Sequence, residues 1–134
     1  AMTTSNTVET ERLDPQKAVI LVVEDEFAMR EFMKAYLEVE GFLVITAANG
    51  MDGLQTYKEN KDRVRIVVTD LDMPAMNGSD MIRQIFEITP AMKVIVASGH
   101  GFSYARANVS SNDTRCLQKP YTGRELQEAV QLLL

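Results

Sequence analysis

The sequence predicts an α/β fold in which a parallel sheet is covered by helices on both faces. Short β-branched runs such as 64–70 (Val-Arg-Ile-Val-Val-Thr-Asp) recur along the chain and read as strands buried on both sides. Between them lie segments whose apolar residues repeat at i, i+3 and i+4, the stripe of a helix lying on a sheet. Acidic, hydroxyl and lysine residues stand where several of these runs end, which is where open parallel sheets hold their ligands.

The totals agree with a single domain. The chain has 134 residues, 46% of them hydrophobic and 25% charged, enough to bury a real core. A net charge of −5 without a basic cluster argues against nucleic acid or an anionic membrane as a partner. The single cysteine, Cys116, excludes an internal disulfide and fits a reducing compartment. No apolar run reaches the roughly 18 residues that a membrane span requires. The N-terminus lacks the layout of a signal peptide, so the expected location is the cytoplasm, with no membrane insertion.

Residues 1–16 are polar, rich in Thr and Glu, and without apolar period. They are expected to form a disordered lead, with the folded domain running over 17–134. The run 17–23 is the first strand and leads into Glu24-Asp25-Glu26. Three adjacent acids repel one another unless a cation or a helix N-terminus lies nearby. A helix follows at once, with Met29, Phe32, Met33, Tyr36 and Leu37 expected on its buried stripe and Gly41 at its C-terminal stop. The second strand is expected at 42–46, then a turn at Ala48-Asn49-Gly50 and a weaker helix over 51–60 that buries Leu54 and Tyr57.

The third strand ends at Asp70. The loop beyond it carries Pro74 and Gly78, and a helix over 79–88 turns Met81, Ile82 and Ile85 inward until Thr89-Pro90 breaks it. The fourth strand spans 93–97 and runs into Ser98-Gly99-His100-Gly101. The segment 102–114 carries few apolar anchors and much loop chemistry, so its helix should be short. Cys116-Leu117-Gln118 is a brief fifth strand followed by Lys119-Pro120. The last helix opens on the capping box Thr122–Glu125 and buries Leu126, Ala129, Val130 and Leu133.

Five strands alternating with helices, joined by right-handed crossovers, point to the flavodoxin-like (βα)5 doubly wound fold with strand order 2-1-3-4-5. In that order Asp25, Asp70, Ser98 and Lys119 lie along one carboxyl edge. Asp25 and Asp70 supply the hard oxygens that Mg²⁺, or Mn²⁺, seeks. Glu24 could hold one of the metal's waters, and the backbone carbonyl of Asp72 could reach the same ion. Asp70 can also be a nucleophile that forms an aspartyl-phosphate, with Lys119 and Ser98 offering a charge and a hydroxyl to phosphoryl oxygens.

Taken singly, each residue has a plainer reading. An Asp at a strand end can be a cap or turn residue, Glu24-Asp25 a solvated helix start, Lys119 a surface lysine and Ser98 part of a turn. His100 reads as a loop residue, because no second His or Cys stands at ligand spacing. The coincidence of acids, hydroxyl and lysine at the exits of four strands favours a site.

The same residues carry a resemblance. Val-Glu-Asp-Glu at 23–26, Thr-Asp-Leu-Asp-Met-Pro-Ala-Met-Asn-Gly at 69–78, Ser-Gly-His-Gly at 98–101 and Lys-Pro at 119–120 resemble the receiver domains of two-component response regulators, over about 17–134. The resemblance implies that Asp70 accepts phosphate from a sensor histidine kinase or a histidine phosphotransfer domain. It implies a metal on Asp25, Asp70 and the Asp72 carbonyl, assisted by Glu24 through water. Ser98 and Lys119 would sense and hold the phosphoryl group, and the domain would catalyse its own aspartyl phosphorylation and dephosphorylation.

Three departures stand out. Glu24 replaces the more usual Asp, the helix after the fourth strand is unusually polar, and Cys116 stands where the family usually has the Phe or Tyr whose ring reports phosphorylation. Ser98 and Cys116 therefore form an atypical switch region, and the signal is expected to leave through 99–114. Two rival readings remain: a non-phosphorylated pseudo-receiver acting as a protein-interaction module, and a flavin carrier of the same fold. Intact Asp25, Asp70 and Lys119 count against the first. Glu-Asp-Glu, where a flavin phosphate would need a Ser/Thr/Gly loop, counts against the second.

Overall fold

The computed structural model describes residues 18–71, 76, 78–99 and 114–134. The N-terminal lead, the Asp72 carbonyl, His100 and the segment 102–113 lie outside the described residues. The described strands are β1 (Val19–Val23), β2 (Leu43–Ala47), β3 (Val64–Asp70), β4 (Lys93–Ser98) and β5 (Thr114–Gln118). The described helices are α1 (Phe27–Val39), α2 (Gly50–Asn60), α3 (Gly78–Ile88) and α4 (Gly123–Leu133).

The strands form one five-stranded parallel sheet in the order β2-β1-β3-β4-β5, as expected. The register brings the strand ends level: Val23 pairs with Ala47 and Thr69, Asp70 with Ala97, and Ser98 with Gln118. Alternation along β1 divides the core. Val19, Leu21 and Val23 join Leu54, Tyr57, Met81, Ile82 and Ile85 under α2 and α3. Ile20 and Val22 join Met33, Leu37, Leu126, Val130 and Leu133 under α1 and α4. Every residue of β1 is buried, which is why its sequence is continuously apolar.

The helix ends follow from local chemistry. The Asn49 side chain accepts the Asp52 N–H at 2.8 Å, so this residue caps α2 and the helix starts at Gly50, where a simple turn was expected. Thr122 and Glu125 form the expected capping box: Thr122 Oγ1 accepts the Glu125 N–H at 3.1 Å, and the Thr122 N–H donates to Glu125 Oε1 at 2.8 Å. Past the end of α1, Gly41 has φ +98°, which lets the chain turn back into β2.

One expectation needs correction. The stripe of α1 is narrower than its apolar spacing suggests. Met33 and Leu37 are buried, Met29 and Tyr36 are half-buried, and Phe32 is exposed. Phe32 and Tyr36 lie off the sheet-facing line. Their rings meet each other at 5.8 Å between centroids, and Tyr36 packs against Gly123 at the start of α4.

Gly41→Ala should lower stability by about 1–2 kcal/mol, the backbone penalty of a left-handed alanine. A Cβ there would meet nothing within 4 Å, so no steric contribution is added. Urea denaturation of the variant measures the effect.

Candidate functional site

Parallel pairing carries four polar strand ends to one edge of the sheet. Asp70 is the last residue of β3 and is only 4% exposed, held between β1 and β4. Its Oδ2 accepts a hydrogen bond from Lys119 Nζ at 2.6 Å, a close ion pair across 49 residues of sequence. Lys119 follows β5 directly, and its backbone N–H donates to the Ser98 carbonyl at 3.0 Å. This bond ties the lysine's backbone to the end of β4, where Ser98 is buried.

The fourth contribution comes from the turn leaving β1. The Glu24 N–H donates to the Ala47 carbonyl at 3.1 Å, continuing the pairing of β1 with β2 by one residue. Glu24 Oε2 accepts the Glu26 N–H at 3.1 Å, which folds this carboxylate inward. Glu24 is 4% exposed while its neighbour Asp25 is exposed. One carboxylate oxygen from each of Glu24, Asp25 and Asp70 lies within 4.8 Å of the others. Three hard anionic donors so placed are chemically suited to a divalent cation such as Mg²⁺.

The electrostatics express the crowding. Burial above all, with the charge of Asp70 and the hydrogen bond to Asp25 adding to it, pushes the Glu24 carboxyl up to about 7 against the Glu26 N–H and Lys119. Burial alone would lower the Lys119 ammonium. The hydrogen bond and charge of Asp70, helped by Glu24 and Asp25, outweigh it and hold Lys119 above the ordinary lysine value. The Tyr121 hydroxyl is raised by burial and by the charges of Glu24 and Asp70. Beside these groups a cavity of about 290 Å³ is lined by Glu24, Glu26, Met29, Lys119, Pro120 and Tyr121.

Glu24, Asp25, Asp70 and Lys119, all named from the sequence, thus meet in one place, with Ser98 at the same edge. Cys116 does not join them. It pairs with Val96 inside β5 and packs half-buried on the α2–α3 side of the sheet. Sequence reasoning missed Tyr121, whose hydroxyl donates to Met33 Sδ at 3.4 Å beneath the site, and it missed Arg30, whose guanidinium donates to the Glu24 backbone carbonyl. The signal for Arg30 was present: a cation in the opening turns of a helix opposes the macrodipole and asks for a local reason. Gly78 was read as loop punctuation and as the last residue of the 69–78 motif, without a physical role. It begins α3 against Asp70, where any Cβ would run into the Asp70 carbonyl.

The family model of the response regulator receiver domain matches residues 20–131. The chain belongs to this family. It is 33% identical over 118 residues to the sensor kinase CckA of Brucella abortus, covering 87% of the chain and 12% of that kinase. It likewise spans only 49% and 18% of two transcriptional regulators that it matches. Among solved structures, a response regulator receiver domain protein from Clostridium thermocellum superposes with a TM-score of 0.79 at 35% identity, covering 87% of this chain and 93% of that one. The response regulator TrrA of Thermotoga maritima, solved in complex with Mg²⁺-BeF, superposes with a TM-score of 0.75 at 30% identity, covering 87% and 99%. This receiver domain of the two-component type therefore carries its acidic cluster on the fold expected for it. Among the described residues, no helix is long and apolar enough to cross a membrane.

The raised Glu24 pKa fixes a pH dependence. The carboxyl titrates at its ordinary value of 4.5 when unfolded and near 7 when folded, so the folded state holds its proton more tightly. This contribution to stability is fully present below about pH 4.5 and is lost as pH rises through 7. Metal-free wild type should therefore lose melting temperature across that window more steeply than Glu24→Gln, as read by differential scanning calorimetry at stepped pH.

Proposed function

We propose that this receiver domain accepts a phosphoryl group on Asp70 from a phosphohistidine of a sensor histidine kinase or histidine phosphotransfer domain, with Mg²⁺ or Mn²⁺ as cofactor. The observation that carries this reading is the buried Asp70 carboxylate, paired with Lys119 at 2.6 Å inside a cluster of two further carboxylates. The TrrA neighbour, solved with Mg²⁺-BeF, supports it.

In the proposed step an Asp70 carboxylate oxygen forms a bond to phosphorus. The phosphorus–nitrogen bond of the donor breaks, and its electron pair stays on the imidazole nitrogen, which takes up a proton. Asp25 and Asp70 would hold the metal directly, with the Asp72 carbonyl as a further ligand and Glu24 acting through water. The metal would supply positive charge to the phosphoryl oxygens, which matters more to phosphoryl transfer than covalent help. Lys119 leaves its pairing with the free carboxylate and neutralises the transferred group, while the Ser98 hydroxyl donates to it. Ser98 then relays the change toward 99–114, because Cys116 has no ring to turn inward. We place the domain at 17–134, in the cytoplasm, as one element of a phosphorelay.

Asp70→Asn should abolish labelling by acetyl phosphate or a phosphohistidine donor while leaving the fold intact by circular dichroism. Labelling equal to wild type would refute the assignment. Mg²⁺ should raise the melting temperature by mass action on the folded state, and Asp25→Ala should remove that response. A full response in the variant would mean that the cation binds elsewhere.

A further inference from the structure

The turn that carries two of the three carboxylates is short, acidic and exposed on one side. Glu24 is buried, Asp25 and Glu26 are exposed, and like charges on adjacent residues push such a turn apart. Glu24 is nevertheless fixed at three points, the first two being its N–H on the Ala47 carbonyl and its Oε2 under the Glu26 N–H. The third is Arg30, whose Nη1 donates to the Glu24 backbone carbonyl at 2.7 Å, at the short end of the range for such bonds.

Arg30 is itself held on two sides. Its backbone N–H donates to the Glu26 carbonyl at 2.9 Å, which starts the ladder of α1, and its guanidinium lies over the Phe27 ring, 5.4 Å from the centroid. The chemistry of the hydrogen bond is specific. It brings a cation to the back of the acidic turn through a carbonyl rather than a carboxylate. The positive charge relieves the crowding of the acids, while the carboxylate oxygens of Glu24 and Asp25 stay directed at Asp70.

We infer that Arg30 is a positioning residue for the cation site: by gripping the Glu24 carbonyl it presets the β1–α1 turn so that Glu24 and Asp25 present their oxygens together with Asp70. This rests on the metal-dependent reading above. Residues that hold ligands in place from behind typically account for ten- to hundredfold in metal affinity. Charge alone predicts the opposite sign, since removing a nearby cation should tighten the binding of Mg²⁺. The two accounts therefore separate cleanly.

The test uses Arg30→Met, which keeps the stem against Phe27 and removes both charge and donor, alongside Arg30→Lys, which keeps a shorter charged donor. Mg²⁺ is titrated against melting temperature, and Asp70 labelling by acetyl phosphate is followed over the same range. The half-saturating Mg²⁺ concentration should rise about tenfold in Arg30→Met by both readouts, with Arg30→Lys between it and wild type. The labelling rate at saturating Mg²⁺ should stay near that of wild type, because Arg30 does not face the reacting atoms. Half-saturation unchanged or lowered in Arg30→Met, with a wild type that responds to Mg²⁺, overturns the role of Arg30 alone. A wild type that neither responds to Mg²⁺ nor labels at Asp70 overturns the metal-dependent reading, and this inference with it.

Discussion

Three carboxylates held within 4.8 Å of one another are the constraint around which this molecule is arranged. Left to themselves they would separate, because burial weakens the screening that lets acids crowd at a surface. Two devices hold them. Lys119 offsets part of the charge at 2.6 Å from Asp70, and a backbone frame fixes where each acid emerges. That frame is the sheet. Asp70 cannot retreat, because β3 is paired along both sides and its apolar residues are buried in both halves of the core. Stability is stored in the apolar layers and spent at one edge.

The layers do not share this work equally. The α1–α4 side carries Arg30 and Tyr121 beside the acids, and its two helices are fastened to each other. Gln127 Nε2 donates to Glu40 Oε1 at 2.8 Å, and Tyr36 fills the space beside Gly123. The α2–α3 side is closed by packing, with Tyr57 fully buried and its hydroxyl bonded to Thr89. Cys116 belongs to that second side, half-buried against its apolar residues.

Much of this was legible in the sequence because the physics is local. β1 and β3 are written as continuous apolar runs, the Thr122–Glu125 box marks α4, and Gly41 marks the end of α1. The acids and Lys119 could be gathered from their strand exits, since the parallel order alone makes those exits neighbours. What sequence could not supply were relations fixed by direction rather than spacing. Phe32 fits the helical period yet points off the sheet, because a period does not say how wide the covered face is. Arg30 reaches back six residues to a carbonyl, a partner with no side-chain signature. The inward fold of the Glu24 carboxylate likewise ends on a backbone N–H, that of Glu26.

Gly78 is another residue placed by direction rather than spacing. It stands with only hydrogen between its Cα and the carbonyl of Asp70, and its N–H is bonded to Leu71. The first turn of α3 and the end of β3 are thus in direct backbone contact. Substitution tolerance in this chain is then not ranked by chemistry. An exposed acid such as Asp25 can change its side chain while the backbone stays where it is, whereas a residue with no functional group has no room for a single methyl. Gly50, where a Cβ would run as hard into the Met76 carbonyl, shares that limit, so a catalogue of tolerated residues would find strict positions where there is no side chain at all.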